Sequence, residues 1–231
     1  MNIFITGGSG FLGKHLSIFL IKQNHKVTLF DNFSNSNSEI LLTSDKIKII
    51  EGDILDYSKL SKSMKNTELV IHLAAQISVK NSIDNPENTM KINVQGTQNL
   101  LESCLENKVE NFIAASSAAV FGNSSIVPLT EESPKNPISP YGKSKLLMEE
   151  KILEFSKLHN LNSIILRFFN LYGYGQSPQY AGVISKFLEN IKKNTNLEIY
   201  GNGNQTRDFI HIDDAINSFN LAIINIRGKT G

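Results

Sequence analysis

Asn2-Ile3-Phe4-Ile5-Thr6-Gly7-Gly8-Ser9-Gly10-Phe11-Leu12-Gly13 is the stretch that decides the architecture. Ile3, Phe4 and Ile5 make a short apolar run of the kind that forms a buried strand. Glycines then fall at 7, 10 and 13, and helical spacing takes over through Phe11, Leu12, Leu16, Phe19 and Leu20. A strand, a glycine turn and a helix in this order form a cradle for phosphate. Gly7 permits the tight turn, Gly10 lets the backbone approach a pyrophosphate, and Gly13 lets the helix lie close to the sheet. The helix N-terminus offers unpaired N–H groups and the positive end of its dipole. The order of elements carries this reading more than the glycines alone.

Working outward, strand and helix patterns keep alternating. Lys26–Phe30, Ile47–Glu51, Leu69–Leu73, Val109–Ala115 and Asn162–Phe168 read as further strands. Tyr57–Lys65 (capped by Asp56), Thr89–Glu106 after the Asn85-Pro86 turn, and Tyr141–His159 read as helices. Asp31–Ser44 is a polar loop with a short helix near Glu39, and Ser116–Pro140 is mostly loop. The alternation implies an α/β fold: a parallel sheet with helices on both faces. Past Asn170 the pattern loosens into a helix at Ala181–Lys193, a short strand at Leu197–Tyr200 and a helix at Asp213–Ile226. This divides the chain into a cofactor domain at 1–169 and a small substrate lobe at 170–231. In that lobe Val183, Ile184, Phe187, Leu188, Ile216, Phe219 and Leu221 are apolar positions that need cover.

Bulk properties remove several function classes. The 23 basic and 22 acidic residues are interspersed and leave a net charge of +1, so nothing argues for nucleic acid or an anionic membrane as partner. No stretch approaches the length of a membrane span, and Met1 runs straight into a strand, so no leader peptide is expected. Cys104 is the only cysteine, which excludes an internal disulfide and fits a reducing, cytoplasmic setting. The histidines at 15, 25, 72, 159 and 211 are scattered, so no metal site is expected.

Four groups of residues carry chemistry. Asp31, at the end of the second strand, can accept both ribose hydroxyls of adenosine; it would repel a 2′-phosphate and no Arg follows it, which favours NAD over NADP. Asp53 and Ile54 end the third strand and can reach the adenine, while Leu73, Ala74 and Ala75 are small enough for a dinucleotide to lie against the backbone. Tyr141 and Lys145 share one helix face, a turn apart, and Pro140 favours a helix start just before them. A phenol with a reference pKa of roughly 10 is a poor base at neutral pH, but a nearby ammonium and a cationic nicotinamide favour the phenolate. Ser117, at the ligand-binding edge of the fifth strand, can relay a proton or orient a sugar hydroxyl. Finally, Arg207 lies in a glycine-rich loop suited to a bidentate hold on phosphate, and Asn170 can donate to phosphate or sugar oxygens. His211 has the look of a packing histidine at the entry to a helix.

Taken together, the segments TGGSGFLG at 6–13, Asp31-Asn32, GDI at 52–54, HLAAQISV at 72–79, NVQGTQNLLE at 93–102, SSAAVFG at 116–122, SPYGKSK at 139–145, RFFNLYG at 167–173 and QTRDFIHIDD at 205–214 resemble an extended short-chain dehydrogenase/reductase. Within that group the chain is similar to the NAD-dependent nucleotide-sugar epimerase/dehydratase family, and most of all to its UDP-glucose 4-epimerase branch. The resemblance implies a Rossmann-type fold. It implies NAD held by Gly7, Gly10, Phe11, Leu12, Gly13, Asp31, Asn32, Asp53, Ile54, Leu73, Ala74, Ala75 and Asn93 together with Tyr141 and Lys145. It implies Ser117, Tyr141 and Lys145 as catalytic residues, and Ser117, Asn170 and Arg207 as contacts to a nucleotide-sugar, expected to be UDP-linked. The implied reaction is C4 epimerisation through a transient 4-keto sugar, in a homodimer formed through the helices at 89–106 and 141–159. Related 4,6-dehydratases carry an Asp-Glu pair after the catalytic hydroxyl; here Ala118 and Ala119 stand there and have no proton to transfer. A dehydratase or reductase on the same scaffold, and an NAD-binding chain without activity, are the alternatives. Tyr174-Gly175 replaces a commoner Pro-Arg. The family also runs on past the point where this chain stops, so the lobe is expected to be incomplete, and the 231 residues alone are expected to bind NAD but turn nucleotide-sugar over poorly.

Overall fold

The computed structural model describes residues 1–35, 44–176, 182–199 and 201–231. Strands β1 (Asn2–Thr6), β2 (Lys26–Asp31), β3 (Ile47–Glu51), β4 (Leu69–His72), β5 (Asn111–Ser117) and β6 (Asn162–Phe168) form one sheet in the order β3-β2-β1-β4-β5-β6. Every neighbouring pair is parallel. The helices are α1 (Phe11–Lys22), α2 (Tyr57–Ser63), α3 (Val79–Asp84), α4 (Pro86–Met90), α5 (Gly96–Glu106), α6 (Pro140–His159), α7 (Val183–Lys192) and α8 (Ile212–Asn225). The strand order turns back between β1 and β4, and that switch point opens the crevice where ligands bind in such sheets. The expected Rossmann-type architecture, a parallel sheet covered on both faces, is what the chain forms.

The central strands β1 and β4 are apolar because both faces are covered, whereas the edge strand β3 carries exposed Lys48 and Glu51. Along β1, Ile3 and Ile5 point to one face and Phe4 to the other, the period of two that a strand imposes. The first face packs on Leu16 and Leu20 of α1 and on Ile212, Ile216 and Phe219 of α8. The second packs on Leu60 of α2, Leu100, Leu101 and Cys104 of α5, and Met148 and Ile152 of α6. Ile216 and Phe219, expected to await cover, are therefore buried against the sheet, because α8 returns from the C-terminal lobe to cover it. Val183, Leu188 and Leu221 are exposed, and α7 has no buried residue.

Several expectations about elements change. The helix expected at 89–106 begins at Pro86, where Asn85 accepts from the Asn88 N–H, and passes through a π-helical turn at Lys91–Gln95 into α5. An additional helix, α3, is capped by Ser78, which accepts from the Asn81 N–H. Strand β5 starts later and runs on to Ser117, and a 3-10 turn follows at Ala118–Phe121. Leu197–Ile199 form no strand; instead β7 (Asn170–Tyr172) and β8 (Phe209–His211) make a two-stranded parallel sheet, each too short for periodicity to reveal. The helix expected near Glu39, and the positions Ala181 and Tyr200, lie outside the described residues. Among the described residues no helix is long and apolar enough to cross a membrane, and no three His, Cys, Asp or Glu side chains are grouped to hold a metal.

Candidate active site

The turn between β1 and α1 is tied down from within. Gly7 takes φ +67°, its N–H donates to the Phe30 carbonyl (2.9 Å), and the Gly10 N–H donates to the Gly7 carbonyl (3.1 Å). A Cβ on Gly7 would lie 2.6 Å from the Ala74 nitrogen, so this glycine lets the first and fourth βα turns touch. A Cβ on Gly13 would sit 2.7 Å from the Gly7 carbonyl oxygen and 2.6 Å from that of Gly8. Gly13 therefore seats α1 on the turn itself rather than on the sheet. Beside Gly10 a Cβ would meet only the Gly7 oxygen, at 3.3 Å. Among the described residues no side chain caps α1, and the buried Ser9 Oγ has no partner. Bare N–H groups at a helix start with a buried hydroxyl beside them are the donor set a pyrophosphate requires, so the turn fits a dinucleotide.

Asp31 lies against this turn. One carboxylate oxygen accepts the Ser9 N–H and the other the Phe33 N–H, both at 2.8 Å. Asp53 accepts the Asn32 side-chain amide (3.0 Å) and the Leu55 N–H (2.8 Å), so the ends of β2 and β3 form one polar rim. Ile54 belongs by its side chain to the core, under Gly96, which leaves only its backbone for a ligand. Beyond β4, Leu73 N–H bonds the Thr6 carbonyl (3.0 Å), and Ala74 and Ala75 follow along the crevice. Asn93, inside the π-helical turn, grips Gln76 by both its N–H (2.8 Å) and its carbonyl (3.0 Å) and also donates to Ser144 Oγ (2.9 Å). It thereby fastens the loop after β4 to α6. Among the described residues the buried Gln76 side-chain oxygen has no partner, a second unmet polar atom, in the loop after β4.

Below the rim runs a buried polar chain that composition did not reveal. Thr97 donates its hydroxyl proton to the Asn93 carbonyl (2.7 Å), so at 2.9 Å it must accept from His72 Nε2. His72 Nδ1 therefore accepts from Thr6 (2.7 Å), whose oxygen receives the Ala74 N–H (3.4 Å). Burial, with a smaller effect from the Lys145 charge, lowers the His72 pKa to about 3 and keeps the ring neutral.

The start of α6 carries the reactive side chains. Ser139 caps it by accepting the Gly142 N–H (3.1 Å), and Ser82 of α3 accepts the Tyr141 N–H (3.1 Å). The Tyr141 side chain lies near Ser117 at the end of β5, close enough for that hydroxyl to act on its pKa. Burial raises the Tyr141 pKa and outweighs the effect of Ser117, which acts the other way. Lys145 is buried one turn on. Its Nζ donates to the Ala115 carbonyl (3.0 Å) rather than to Tyr141, and burial pulls its pKa down to about 8, against the opposing charge of Glu149. Desolvation of the phenol is the larger of the two effects on its pKa. Glu149, Arg167 and Ser116 form a cluster behind this pair, and Glu149 was not anticipated from sequence. Its signal was available: a lone acid at the same helical face as Tyr141 and Lys145.

The second group of expected residues sits apart, on the small sheet. Asn170 donates its backbone N–H (3.2 Å) and side-chain amide (2.8 Å) to the Asp208 carbonyl. Arg207 is exposed; its guanidinium donates to the Thr206 carbonyl (2.7 Å) and pairs with no carboxylate among the described residues. His211 caps α8 by accepting the Asp213 N–H at 3.3 Å, the packing role expected of it.

Comparison with known proteins agrees with this geometry. The model of the family described as "NAD dependent epimerase/dehydratase family" matches residues 3–230. The chain belongs to that family. A Methanocaldococcus jannaschii protein provisionally named UDP-glucose 4-epimerase is 41% identical over 230 residues, which cover 98% of this chain and 74% of that protein. The structure of UDP-glucose 4-epimerase from Thermotoga maritima, with UDP-glucose, superposes with a TM-score of 0.91 at 34% identity, over 96% of this chain and 73% of that one. A dTDP-glucose 4,6-dehydratase from Streptomyces venezuelae, with NAD bound, superposes with a TM-score of 0.92 at 27% identity, over 100% of this chain and 74% of that one. The family thus contains more than one reaction on this fold.

Proposed function

We propose that the chain is an NAD-dependent nucleotide-sugar 4-epimerase acting on a UDP-linked glucose, galactose, or N-acetylated or uronic relative. The observation that supports this most directly is the hydroxyl pair Tyr141–Ser117, with Lys145 anchored on Ala115 one turn along, followed by Ala118 and Ala119. Those two alanines hold no acid or base to expel water from the sugar, which separates this site from the dehydratase reading. In this reading the cofactor half is 1–169 and the nucleotide-sugar contacts come from 170–231. NAD would be held by the turn at Gly7, Gly10 and Gly13, by Asp31 and Asp53 on the rim, and by the Leu73–Ala75 and Asn93 side of the crevice. When bound it supplies the acceptor, and later the donor, of a hydride.

The protein's own part is proton transfer and orientation. Tyr141, once deprotonated, takes the proton of the sugar 4-hydroxyl as the hydride leaves C4, giving a 4-keto sugar. Ser117 orients the reacting oxygen. Arg207 and Asn170 hold the diphosphate while the keto sugar turns over, and Tyr141 returns its proton as hydride reaches the other face of C4. Lys145 keeps positive charge beside the phenolate it helps to form.

The test is incubation with a panel of UDP-sugars, with sugar analysis of the products. An epimer of unchanged mass is expected. A product lighter by one water would select the dehydratase reading, net NADH turnover the reductase reading, and NAD binding without any hydride exchange a non-catalytic chain. We further propose a homodimer in a cytoplasmic setting. Helices α5 and α6 present Leu105 and Leu158, 50% and 73% exposed, beside Phe155, and a second copy would cover them. Sedimentation of Leu158→Lys against the parent chain tests this face.

A further inference from the structure

Three consecutive residues close β5, and each meets a different turn of α6. Ser117 stands near Tyr141, the Ala115 carbonyl accepts from Lys145 Nζ (3.0 Å), and between them Ser116 Oγ donates to Glu149 Oε1 (2.6 Å). Tyr141, Lys145 and Glu149 stand four residues apart on one helix face. The strand end and the helix thus meet at three successive points, two of them hydrogen-bonded, and the Glu149 point lies outside the reaction as proposed.

The third point is built more strongly than the others. The Glu149 side chain is 1% exposed. Arg167 of β6 reaches it with two bonds, Nε to Oε1 at 2.9 Å and Nη2 to Oε2 at 2.8 Å. The guanidinium also lies over the Phe121 ring, 5.3 Å from its centroid. Lys135, from the loop before α6, stands 3.9 Å from Oε2. A buried ion pair is weak evidence for stability, because an apolar pair of similar volume often holds two elements together as well. An apolar pair does not fix direction or register; a bidentate pair with a third donor does.

We propose that Glu149 is a positioning residue: clamped by Arg167 and Ser116, it locks α6 in register against the end of β5, so that Tyr141 and Lys145 meet Ser117 in reactive geometry. The inference rests on the roles proposed above for Tyr141 and Lys145. Electrostatics point the same way. Burial pulls Lys145 down to about 8, and Glu149 is the anion that opposes the fall. The other titratable groups around Lys145 are Tyr141 on its own helix and neutral His72 on β4. Around Glu149 they are Arg167 on β6 and Lys135 in the loop, with Glu131 acting on Arg167 from beyond.

Glu149→Gln in the whole chain tests this. The expected result has two parts. The Lys145 titration, followed by NMR of the labelled Cε, moves to a midpoint below that of the parent. Turnover falls roughly 10- to 100-fold, as about 1 Å of misplacement can cause, with KM changed only a few-fold and the alkaline limb of the kcat profile at lower pH. A Lys145 midpoint equal to the parent's overturns the proposal, and so does a folded variant with parental kcat and pH profile. If Glu149→Gln fails to fold, Glu149→Leu with Arg167→Met keeps volume and removes both charges; the same loss of kcat is expected, and parental kcat in that variant overturns the clamp. Tyr141→Phe is measured beside them. Parental turnover there sinks the catalytic assignment, while the Lys145 midpoint, read without substrate or cofactor, still judges the clamp.

Discussion

The two groups of candidate site residues are held in opposite ways. On the cofactor and catalytic side nearly every polar side chain is already bonded to protein: Asp31 to Ser9 and Phe33, Asn93 to Gln76 and Ser144, His72 to Thr6 and Thr97, Lys145 to Ala115. On the small sheet, among the described residues, the Asn170 side chain is held by the Asp208 carbonyl and Arg207 by its neighbour's carbonyl, and α7 buries nothing. The first side carries its geometry in the folded chain. The second has its charged group aimed at solvent and would gain its order from a ligand. Hydride and proton transfer need fixed distances, whereas a sugar that must turn within the site needs room.

The largest expected effect breaks the rigid side at its reactive atom. Tyr141→Phe removes a hydroxyl while leaving the helix start intact, since Ser82 and Ser139 hold backbone N–H groups. Turnover on the active UDP-sugar should fall by about 10²- to 10⁴-fold, with NAD affinity held within a few-fold. Single-turnover absorbance of the reduced cofactor, next to calorimetry with NAD, checks both. Equal rates for variant and parent would remove Tyr141 from the reaction.

The buried polar chain gives the next effect, on stability. His72 is held at about 3 in the folded protein against 6.5 when unfolded. A lowered value means that the unfolded chain binds the extra proton between these limits. Stability from this group is complete above about pH 6.5 and is lost as pH falls toward 3, by on the order of a few kcal/mol. Acid unfolding of His72→Gln should show a shallower dependence across that window than the parent. An equal slope would mean that other groups carry the acid sensitivity.

How far the sequence showed this contrast depends on the length of each pattern. The sheet was legible because β1, β2, β4, β5 and β6 are apolar runs separated by helical spacing, and because the glycine turn fixed which strand comes first. The Tyr141, Lys145 and Ser117 group was legible because Pro140 and the β5 edge place it. Strands β7 and β8 were not, since three residues show no period, and neither was α3, whose start is set by the Ser78 side chain. His72 and Glu149 escaped for another reason. Each is a lone polar residue whose meaning depends on partners from other elements, Thr6 and Thr97 for one, Arg167 and Ser116 for the other. Nothing local marks His72, and Glu149 is marked only by sharing a helix face with Tyr141 and Lys145.

On the open side, Arg207→Ala should weaken binding of the UDP-sugar by roughly 10- to 100-fold, the range for losing a charged hydrogen bond worth about 1.5–3 kcal/mol. Because Arg207 is exposed and among the described residues bonds its neighbour's carbonyl alone, unfolding free energy should change by no more than about 0.5 kcal/mol. NAD affinity should stay at the parental level. Equal loss for both ligands, or a large loss of stability, would mean that this side is as preorganised as the other.

The smallest effect concerns Asp31, and it needs a ratio rather than a single affinity. Asp31→Ala removes two things at once: the acceptor for the Ser9 and Phe33 N–H groups, which holds the phosphate turn, and the carboxylate proposed to read the ribose. Loosening of the turn should weaken any dinucleotide that uses it, NAD and NADP alike. Loss of the carboxylate acts differently on the two, because only NADP carries a 2′-phosphate for it to repel. The absolute loss of NAD affinity, expected to be several-fold, therefore mixes both contributions, whereas the NAD-to-NADP preference isolates the second. Titrating both cofactors into parent and variant should show the preference falling by more than the spread between repeats. If the preference is unchanged while both affinities drop together, Asp31 is a brace for the turn and the ribose is read elsewhere on the rim, with Asp53 and Asn32 the next residues to test.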